Sequence, residues 1–480
     1  MGLSAFPRQM GGLCARGVQE TEEVMVNMTV NEVIKATGGK LLCGNSDTVL
    51  EHLSIDSRSE KERSLFVPLI GEKVDAHRFI DQAFSNGAAA VLTSEHDSMN
   101  SEKPWIRVED TKSALQAIGR FYRERLTIPL VGITGSVGKT TTREMVACAL
   151  SAGFKVFKTP GNHNSQVGVP ITLSEITPED EIGVIELGMS EPGELTVIAR
   201  LASIQMAVIT NIGVTHIEQL GSRENIYKEK LTIQDGLMEG GILFLNGDDD
   251  LLKDTKAKEG CKTIYYGTGA NADYRAEDVH LEEGFPAFTA VFEDQRVPVK
   301  LSVMGSHNVL NAMVSLAVAS ERGIPLEAAA KKLCEFTGFK NRQQIYESNG
   351  MTIIDDTYNA SPVSMKAGLE VLNSLTKVKR RIAVLADMKE LGEDAPKYHY
   401  EIGEYITEHP VFEVVTLGEL AGEIARAVRE QSKEIQVKEF MEQEALVTYL
   451  RGELKEGDGV LFKGSNSMKL SQVADQFHLV

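Results

Sequence analysis

The chain has 480 residues, a formal net charge of −19 at pH 7 and a hydrophobic fraction of 42%. This length exceeds what one hydrophobic core usually supports, so we expect two or three domains. The acidic charge excludes a global attraction to nucleic acid or to an anionic membrane surface. A polyanionic ligand must therefore be held by a local pocket.

The first 27 residues lack the apolar core of a signal peptide and show no clear periodicity. They are either a disordered tail or residues upstream of a true start at Met25 or Met28, and the sequence leaves both interpretations open. The five cysteines are widely spaced without a CxxC pair, which is typical of free thiols in a reducing compartment. No run of about 18 apolar residues occurs, so we expect no transmembrane helix and a cytoplasmic protein.

Residues 28–125 have a mixed α/β pattern, which predicts an N-terminal domain. Helical spacing occurs at 30–37 and 76–86, and short apolar runs occur at 64–69 and 88–93. Pro129 disfavours helix just before the next segment, so we predict that a second domain begins near residue 126.

Residues 126–337 repeat strand, turn and helix, which indicates a mostly parallel sheet with helices on both faces. In such a sheet, ligands bind beyond the carboxyl ends of the strands. Residues 262–303 are expected to break this alternation with β-leaning stretches, and a helix is predicted at 307–322. The strands are predicted at 130–134, 156–158, 182–187, 206–209 and 241–245.

Residues 338–480 are predicted to form a separate, Rossmann-like open α/β domain. Residues 338–342 have the character of a hinge. Four apolar strands follow, separated by helices, at 352–354, 381–386, 412–417 and 459–463.

The most informative segment is a glycine loop between an apolar strand and a helix. Its glycines allow backbone amides to approach phosphate oxygens, Lys139 offers a positive charge near the β and γ phosphates, and Thr140 offers a hydroxyl to a metal. The first glycine of the general phosphate-loop pattern would fall at Ile133, so the spacing is a short variant. We therefore predict ATP binding by Thr134, Gly135, Ser136, Val137, Gly138, Lys139, Thr140 and Thr141.

Two polar residues are predicted to share the sheet edge with this loop. Glu186 ends an apolar strand and, with Thr140, suits the oxygen preference of Mg²⁺. His216 follows another core strand; each residue alone would equally suit a structural or surface position. Lys228 and Lys230 lie on a predicted helix, where the charge pattern by itself indicates a solvated face.

Further polar candidates lie in loops and at helix starts. The loop at 159–170 can offer amides to a sugar or phosphate, or be a turn shaped by its own asparagines. Asn308 and Asn311 lie one helical turn apart and could read adenine, with helix capping by Asn308 as the alternative. In the third segment, Arg342 suits a phosphate or carboxylate, whereas Asp356 and Asn359 could orient a cation or ribose, or form a polar turn.

Taken together and in order, these segments resemble the Mur ligases of bacterial cell-wall synthesis, and most closely the MurF family of UDP-N-acetylmuramoyl-tripeptide:D-alanyl-D-alanine ligases. The short loop from Thr134 to Thr140 is similar to that family's ATP loop. Its metal and adenine motifs are matched by Glu186, His216, Asn308 and Asn311. Its N-x-N-x-x-x-G-x-P loop is matched by Asn162, Asn164, Gly168 and Pro170.

Segments outside this core match the MurF family in particular. Asp56-Ser57-Arg58 and the stretches at 65–72 and 75–77 are similar to the module that holds the uridine nucleotide. The resemblance therefore implies that Ser57 and Arg58 bind the substrate. The stretches similar to its third domain are 355–365, 387–393 and 463–469.

The resemblance implies an ATP-dependent ligase that uses Mg²⁺ and joins D-alanyl-D-alanine to UDP-N-acetylmuramoyl-tripeptide through an acyl phosphate. It implies carbamylation of Lys230, which would then serve with Thr140, Glu186 and His216 as a metal ligand. Lys139, His216, Lys230 and Arg342 would be catalytic, Arg342 and Asp356 would contact the nucleotide, and Asn162, Asn164 and Asn359 would contact substrate. We expect a monomer that binds neither nucleic acid nor membrane.

Three departures and three rival functions accompany this interpretation. Ser165, Ala386 and Asn466 replace an Asn, a Gly and an Arg of the family pattern. A related ligase that adds a single amino acid, MurE or a folylpolyglutamate synthase, is disfavoured by the segments around Asp387 and Lys463. A nucleotide switch would show substrate-independent turnover. A noncatalytic structural protein would tolerate loss of Lys139.

Overall fold

The structure, a computed structural model, describes residues 28–478. The prediction for residues 1–27 lies outside the described residues. The chain forms three α/β units, each around its own main sheet, and this architecture confirms the predicted fold class. No helix in this span combines the length and apolar character needed to cross a bilayer. The exact domain boundaries stay predictions.

The N-terminal unit contains a five-stranded sheet in the order β2-β7-β6-β5-β4, in which only β2 is antiparallel to its neighbour, and a separate β1-β3 pair. Its strands are β1 Met28–Thr29, β2 Lys40–Cys43, β3 Val49–Leu50, β4 His52–Ser54, β5 Ser64–Phe66, β6 Ala88–Thr93 and β7 Trp105–Arg107. Its helices are α1 Val30–Thr37, α2 Ile80–Ser85 and α3 Thr111–Arg125.

The central unit is a nine-stranded sheet with helices on both faces. Its strands are β8 Leu130–Thr134, β9 Val156–Lys158, β10 Ile182–Glu186, β11 Ile204–Ile209, β12 Leu237–Asn246, β13 Lys262–Gly267, β14 Tyr274–Glu282, β15 Phe285–Phe292 and β16 Gln295–Lys300. Its helices are α4 Lys139–Leu150, α5 Gly168–Ser174, α6 Glu194–Ala202, α7 Ile217–Leu220, α8 Arg223–Leu231, α9 Asn308–Glu321 and α10 Leu326–Leu333.

The strand order β16-β15-β14-β13-β12-β11-β8-β10-β9 sets the position of the site. Strand β8 lies between β11 and β10 and is parallel to both, so their carboxyl ends meet at one edge. The chain crosses from one side of β8 to the other between β10 and β11. This reversal is the topological switch point at which such sheets bind ligands.

The expectation that residues 262–303 break the alternation of strands and helices is confirmed, because β13 to β16 follow one another without an intervening helix. Strand β13 pairs in parallel with β12, and β14 pairs in parallel with β13. Only β15 and β16 are antiparallel additions. The polar ends of β13 obscured its apolar centre, in which Ile264 and Tyr266 are buried in the sheet core.

The C-terminal unit is a six-stranded sheet in the order β17-β18-β22-β19-β20-β21, parallel except for β17. Its strands are β17 Gln344–Ser348, β18 Met351–Asp356, β19 Arg380–Ala386, β20 Glu413–Leu417, β21 Gln436–Phe440 and β22 Asp458–Lys463. Its helices are α11 Pro362–Ser374, α12 Ala395–Glu408, α13 Gly422–Gln431, α14 Gln443–Glu453 and α15 Leu470–Ala474.

Candidate active site

The phosphate loop joins β8 to α4 in a backbone conformation that only glycine adopts easily. Gly135 has φ of 148°, and a Cβ there would lie 1.8 Å from Thr210 Oγ1. Gly138 has φ of 85° and precedes the helix without a side-chain cap. The first amides of α4 are therefore free of a competing cap, as anion binding requires.

The segment after β11 holds this loop rigidly. Asn211 accepts a hydrogen bond from the Ser136 amide through its carbonyl at 3.0 Å. Its side chain accepts from the Val137 amide at 3.0 Å and donates to the Val137 carbonyl at 2.9 Å. The Gly213 amide donates to Ser136 Oγ at 2.8 Å. The loop and the 210–213 segment are thus joined by several hydrogen bonds.

Lys139 is the cation of the loop. Its Nζ donates to the Gly135 carbonyl at 2.9 Å. Burial lowers the pKa of Lys139, and the positive charge of Arg342 lowers it further, whereas Glu186 and Glu390 raise it. The lysine is therefore held over the loop. The negative charge of a bound polyphosphate would favour its charged ammonium form.

Glu186 is buried at the end of β10, so it is no surface carboxylate. Its side chain accepts from Thr140 Oγ1 at 2.9 Å, from Asn164 Nδ2 at 2.8 Å and from Arg143 Nη1 at 3.2 Å. Arg143 divides its guanidinium among Glu186, Glu144 and the Gly161 carbonyl. The Asn164 side chain therefore contacts the Glu186 carboxylate. The alternative, in which this asparagine side chain only shapes its own turn, is wrong for Asn164.

The two candidate lysines of α8 differ in exposure. The Lys228 side chain is 66% exposed and faces Glu224, whereas Lys230 is 1% exposed. Burial lowers the pKa of Lys230 well below its usual value, and the nearby charge of Lys139 lowers it further. The solvated interpretation therefore holds for Lys228 and is wrong for Lys230.

His216 precedes α7 in a left-handed conformation, with φ of 64°. Its Nδ1 lies 2.7 Å from Glu390 Oε2, which belongs to the C-terminal unit. The atoms are within hydrogen-bond distance, although the N–H direction is poorly aligned with the oxygen. His216 is therefore contacted from across the domain boundary.

The two asparagines of α9 form one buried network. Asn308 donates to the Met304 carbonyl at 2.7 Å, and Asn311 Nδ2 donates to Asn308 Oδ1 at 3.0 Å. Thr142 Oγ1 donates to Asn311 Oδ1 at 3.0 Å. The helix cap is His307 and no side chain caps the amides, so the capping alternative for Asn308 is wrong.

The predicted hinge places Arg342 against an aromatic ring. Its guanidinium carbon lies 3.9 Å from the Tyr358 ring centroid. Within the described span, Arg342 Nε is buried without a hydrogen-bond partner, and burial lowers the pKa of the guanidinium. Asp356 Oδ2 accepts from Lys463 Nζ at 2.6 Å, and the Asn359 side chain accepts from the Ala360 amide at 2.9 Å.

Most of the predicted residues line one cavity of ≈ 760 Å³ between the central and C-terminal units. They are Ser136, Val137, Gly138, Lys139, Thr140, Thr141, Asn164, Glu186, His216, Asn308, Asn311, Arg342, Asp356 and Asn359. Strand ends, the glycine loop, α9 and the hinge all converge there. The cavity is large enough for a nucleotide.

The other predicted residues lie elsewhere. Thr134 and Gly135 are buried at the end of β8, Lys230 is buried on α8, and Asn162 is exposed. In the N-terminal unit, Ser57 Oγ donates to Gln82 Oε1 at 3.1 Å, and the exposed Arg58 pairs with Asp56 at 2.7 Å. Contact of Ser57, Arg58 and Asn162 with substrate stays a prediction.

Comparison with known proteins follows the same three units. Residues 49–123 match the Mur ligase family catalytic domain, and residues 133–319 match the Mur ligase middle domain. Residues 341–466 match the Mur ligase, glutamate ligase domain.

Full-length relatives narrow this assignment. The UDP-N-acetylmuramoyl-tripeptide–D-alanyl-D-alanine ligase of Bacillus subtilis is 37% identical over 94% of this chain and 98% of its own length. The ligase of the same name from Escherichia coli is 31% identical over 94% of this chain and 98% of its own. The chain belongs to the MurF family of Mur ligases.

Solved MurF structures share the fold. MurF from Acinetobacter baumannii is 28% identical, has a TM-score of 0.85 and covers 94% of this chain and 99% of its own. MurF from Thermotoga maritima in complex with ADP is 31% identical, with a TM-score of 0.77, and covers 89% of this chain and 96% of its own.

The three departures from the MurF pattern have local structural consequences. Ser165 Oγ accepts from the Gly168 amide at 3.2 Å and so stabilises the start of α5. The Ala386 Cβ would lie 2.6 Å from a Cβ at position 464, so Gly464 is required beside it. Asn466 is exposed.

Sequence reasoning assigned no role to Arg143, Asn211 or Glu390. Arg143 follows Lys139 by one helical turn, and this spacing could have identified it as a neighbour of Glu186. Asn211 stood within a segment that was noted only for His216. The contact of Glu390 with His216 has no sequence signal, because it depends on how two units dock.

Proposed function

We propose that this protein is an ATP-dependent ligase that joins D-alanyl-D-alanine to UDP-N-acetylmuramoyl-tripeptide. The products would be UDP-N-acetylmuramoyl-pentapeptide, ADP and phosphate, and the role would be synthesis of a peptidoglycan precursor in the cytoplasm. The observation that carries the proposal is the single cavity that joins the phosphate loop to the C-terminal unit. Membership in the MurF family supports the choice of substrates.

The reaction needs ATP because a carboxylate resists attack by an amine. Its anion is a poor electrophile, and oxide is a poor leaving group. Transfer of the γ-phosphoryl group to the terminal carboxylate of the tripeptide gives an acyl phosphate and ADP. The amine of the dipeptide then attacks the carbonyl carbon, phosphate leaves, and the nitrogen loses a proton. One amide bond forms for each ATP cleaved.

Lys139 and Arg342 would offset the negative charge that develops on the transferring group. Both cations line the cavity and approach it from opposite units. Tyr358 holds the Arg342 guanidinium by stacking, which leaves its in-plane N–H groups for phosphate oxygens. Asn308 and Asn311 would bind the adenine.

The donor set around Glu186 fits Mg²⁺. Magnesium prefers one or two carboxylates, a hydroxyl, and substrate phosphates and waters. Glu186 and Thr140 supply a buried carboxylate and a hydroxyl 2.9 Å apart. When bound with ATP, the metal would neutralise phosphate charge. Asn164 and Arg143 orient the carboxylate that would hold it.

We propose that Lys230 is carbamylated. Burial lowers the pKa of Lys230 and so favours its uncharged amine, and an uncharged amine can add CO₂ with loss of one proton. The carbamate would convert a buried cation into an oxygen ligand and, with His216, hold a second Mg²⁺. ¹³C NMR of protein equilibrated with ¹³C-bicarbonate should show a carbamate resonance that Lys230→Ala lacks.

The proposal assigns one substrate to each unit. Ser57 and Arg58 of the N-terminal unit would contact the uridine nucleotide, and Asn359 would contact the acceptor side. Asp356 would orient the nucleotide through Lys463. Closure of the units would exclude water from a hydrolysable acyl phosphate. We expect the protein to act as a monomer.

The direct test mixes the purified protein with ATP, Mg²⁺, bicarbonate, UDP-N-acetylmuramoyl-tripeptide and D-alanyl-D-alanine. Phosphate release and pentapeptide formation should both require the tripeptide and the dipeptide. Replacing the dipeptide with single amino acids tests the rival ligases. Phosphate release without the tripeptide would indicate a nucleotide switch, and full activity of Lys139→Ala would indicate a structural protein.

A further inference from the structure

The central and C-terminal units touch at two separate places. Beside the hinge, Phe285 and Met304 of the central unit pack into the core of the C-terminal unit. Far along the chain from the hinge, Val214 packs against the same core, and His216 meets Glu390. The first contact lies next to the chain connection between the units, and the second lies far from that connection in sequence.

The second contact is built from unusual backbone. His216 and Glu390 both have φ of 64°, a left-handed conformation that costs free energy for residues other than glycine. Gly392 has φ of 61°, and a Cβ there would lie 3.5 Å from the Glu218 Cα. Such conformations persist where surrounding structure determines them. Both sides are therefore shaped for this contact.

The contact is mechanically connected to the phosphate loop. His216 lies in the segment that follows β11, and the start of that segment is hydrogen-bonded to the loop through Asn211 and Gly213. His216 itself lines the cavity. Glu390 of the C-terminal unit contacts His216. A shift of the C-terminal unit therefore acts on His216 directly.

A carboxylate beside one imidazole nitrogen determines what the other nitrogen can do. When Nδ1–H donates to a carboxylate, Nε2 keeps its lone pair and its orientation, and such partners typically raise metal affinity. The present alignment at 2.7 Å is poor. Hydrogen bonds in active sites commonly tighten when ligands bind.

We propose that Glu390 is a positioning residue by which docking of the C-terminal unit orients His216 for divalent-cation binding. The proposal rests on the proposed function, and it makes metal affinity in the central unit depend on closure. A carboxylate in this place could instead bind the ammonium group of the acceptor. That role predicts an effect on acceptor KM alone.

The test compares Glu390→Ala and Glu390→Gln with the wild type, using full-length protein. Glu393→Gln is the matched control, because Glu393 is an exposed carboxylate in the same segment. Mn²⁺ is titrated by electron paramagnetic resonance in the presence of a non-hydrolysable ATP analogue. Loss of such a partner should weaken Mn²⁺ binding by about 10-fold in Glu390→Ala. Glu390→Gln should lose less, since its amide oxygen still accepts.

Hydrogen–deuterium exchange supplies a second readout. With the analogue and Mn²⁺ bound, residues 210–220 should exchange faster in Glu390→Ala than in the wild type. Strand β19, which leads to the Glu390 segment, should be unchanged, and this shows that the variant is folded. Equal effects of Glu390→Ala and Glu393→Gln on Mn²⁺ affinity would contradict the proposal.

Unchanged Mn²⁺ affinity and exchange in both Glu390 variants, with a raised KM for D-alanyl-D-alanine, would overturn the proposal in favour of acceptor binding. Neither main readout contains the acceptor or the tripeptide. Failure of the wild type to ligate would therefore refute the proposed function, whereas the Mn²⁺ and exchange results would still decide the role of Glu390.

Discussion

Two strand-end carboxylates of this protein line the same cavity with different hydrogen-bond partners. Glu186 ends β10 and receives a hydroxyl, an amide and one shared guanidinium nitrogen. Asp356 ends β18 and receives the buried Lys463 ammonium at 2.6 Å. The first carboxylate shares its cation, Arg143, with Glu144, whereas the second has a buried lysine of its own. Equivalent positions in two parallel sheets therefore have different uses.

The same difference extends to neighbouring groups of the C-terminal unit. Asp387 accepts from the Ala421 amide and from Lys389 Nζ, both at 2.8 Å. His399 Nε2 accepts from the Met388 amide at 2.8 Å. Substitutions at central strand ends should therefore reduce activity with the fold intact. Substitutions at these C-terminal positions should first reduce stability.

The largest expected effect is that of Lys139→Ala on activity. Removal of a cation that stabilises developing phosphoryl charge should reduce kcat by about 10³-fold. Thermal unfolding should be unchanged, because within residues 28–478 the side chain donates a single hydrogen bond, to its own loop. Lys155→Ala, which removes an exposed cation of the same unit, should keep full activity. Unfolding of the Lys139→Ala variant would contradict this prediction, because it would show that Lys139 stabilises the fold.

The second prediction concerns stability. Lys463→Met leaves Asp356 as a buried charge without its cation, and breaking such pairs costs about 3 kcal/mol or more. Both side chains are largely buried, at 1% and 12% exposure, so solvent compensates little. Hydrogen exchange of β18 and β22 should accelerate. Fluorescence of Trp105 in the N-terminal unit, the sole tryptophan, should be unaffected.

The double variant Asp356→Asn with Lys463→Met is the control for this stability effect. It removes both charges and should recover most of the lost protection, because a neutral pair carries no uncompensated charge. Equal stability of the single and double variants would mean that Lys463 acts by packing alone.

Lys230→Ala should show the reverse pattern, with activity lost and stability kept. Loss of a carbamate ligand should reduce the ligation rate by about 10²-fold, in line with the effects of disturbing metal sites. Short carboxylic acids should partly restore the rate by supplying an oxygen ligand. Lys228→Ala is the matched control on the same helix, because Lys228 is exposed. A fully active Lys230→Ala would remove the carbamate from the mechanism.

Apolar patterning predicted the strands well because their cores are continuous. Strands β8 and β9 have the predicted bounds, and the carboxyl end of β10 places Glu186 as expected. The glycine loop predicted a helix after it, and α4 begins at Lys139. These features depend on local sequence and on the order of the strands along the chain. That order is regular because strands alternate with helices.

Burial of a charge and contact between units could not be predicted in this way. The charge pattern of α8 indicates a solvated face, yet packing buries Lys230 completely while Lys228 stays exposed. Only the family resemblance singled out Lys230. The pairing of Asp356 with Lys463 joins strands distant in sequence but adjacent in the sheet, and local pattern contains no record of that adjacency.

The smallest expected effect is a pH dependence of the stability of the C-terminal unit. It tests whether the hydrogen bonds of the neutral His399 ring stabilise that unit. Burial lowers the pKa of His399, whose neutral ring donates through Nδ1 to the Ala395 carbonyl at 2.7 Å. Its contribution to stability is complete above the unfolded pKa of about 6.5, and it is lost as pH falls towards the folded pKa. From pH 7.5 to 5.5 the free energy of unfolding should therefore fall, by no more than about 1.4 kcal/mol per pH unit, which is the limit for one proton. Exchange of β19 measured at both pH values should show this loss in the wild type and in the exposed-site control His409→Gln.

The variant His399→Gln should be less stable at pH 7.5, but its stability should depend less on pH, because its amide cannot bind the proton that the unfolded histidine takes up. An equally steep loss in His399→Gln would assign the pH dependence to another group.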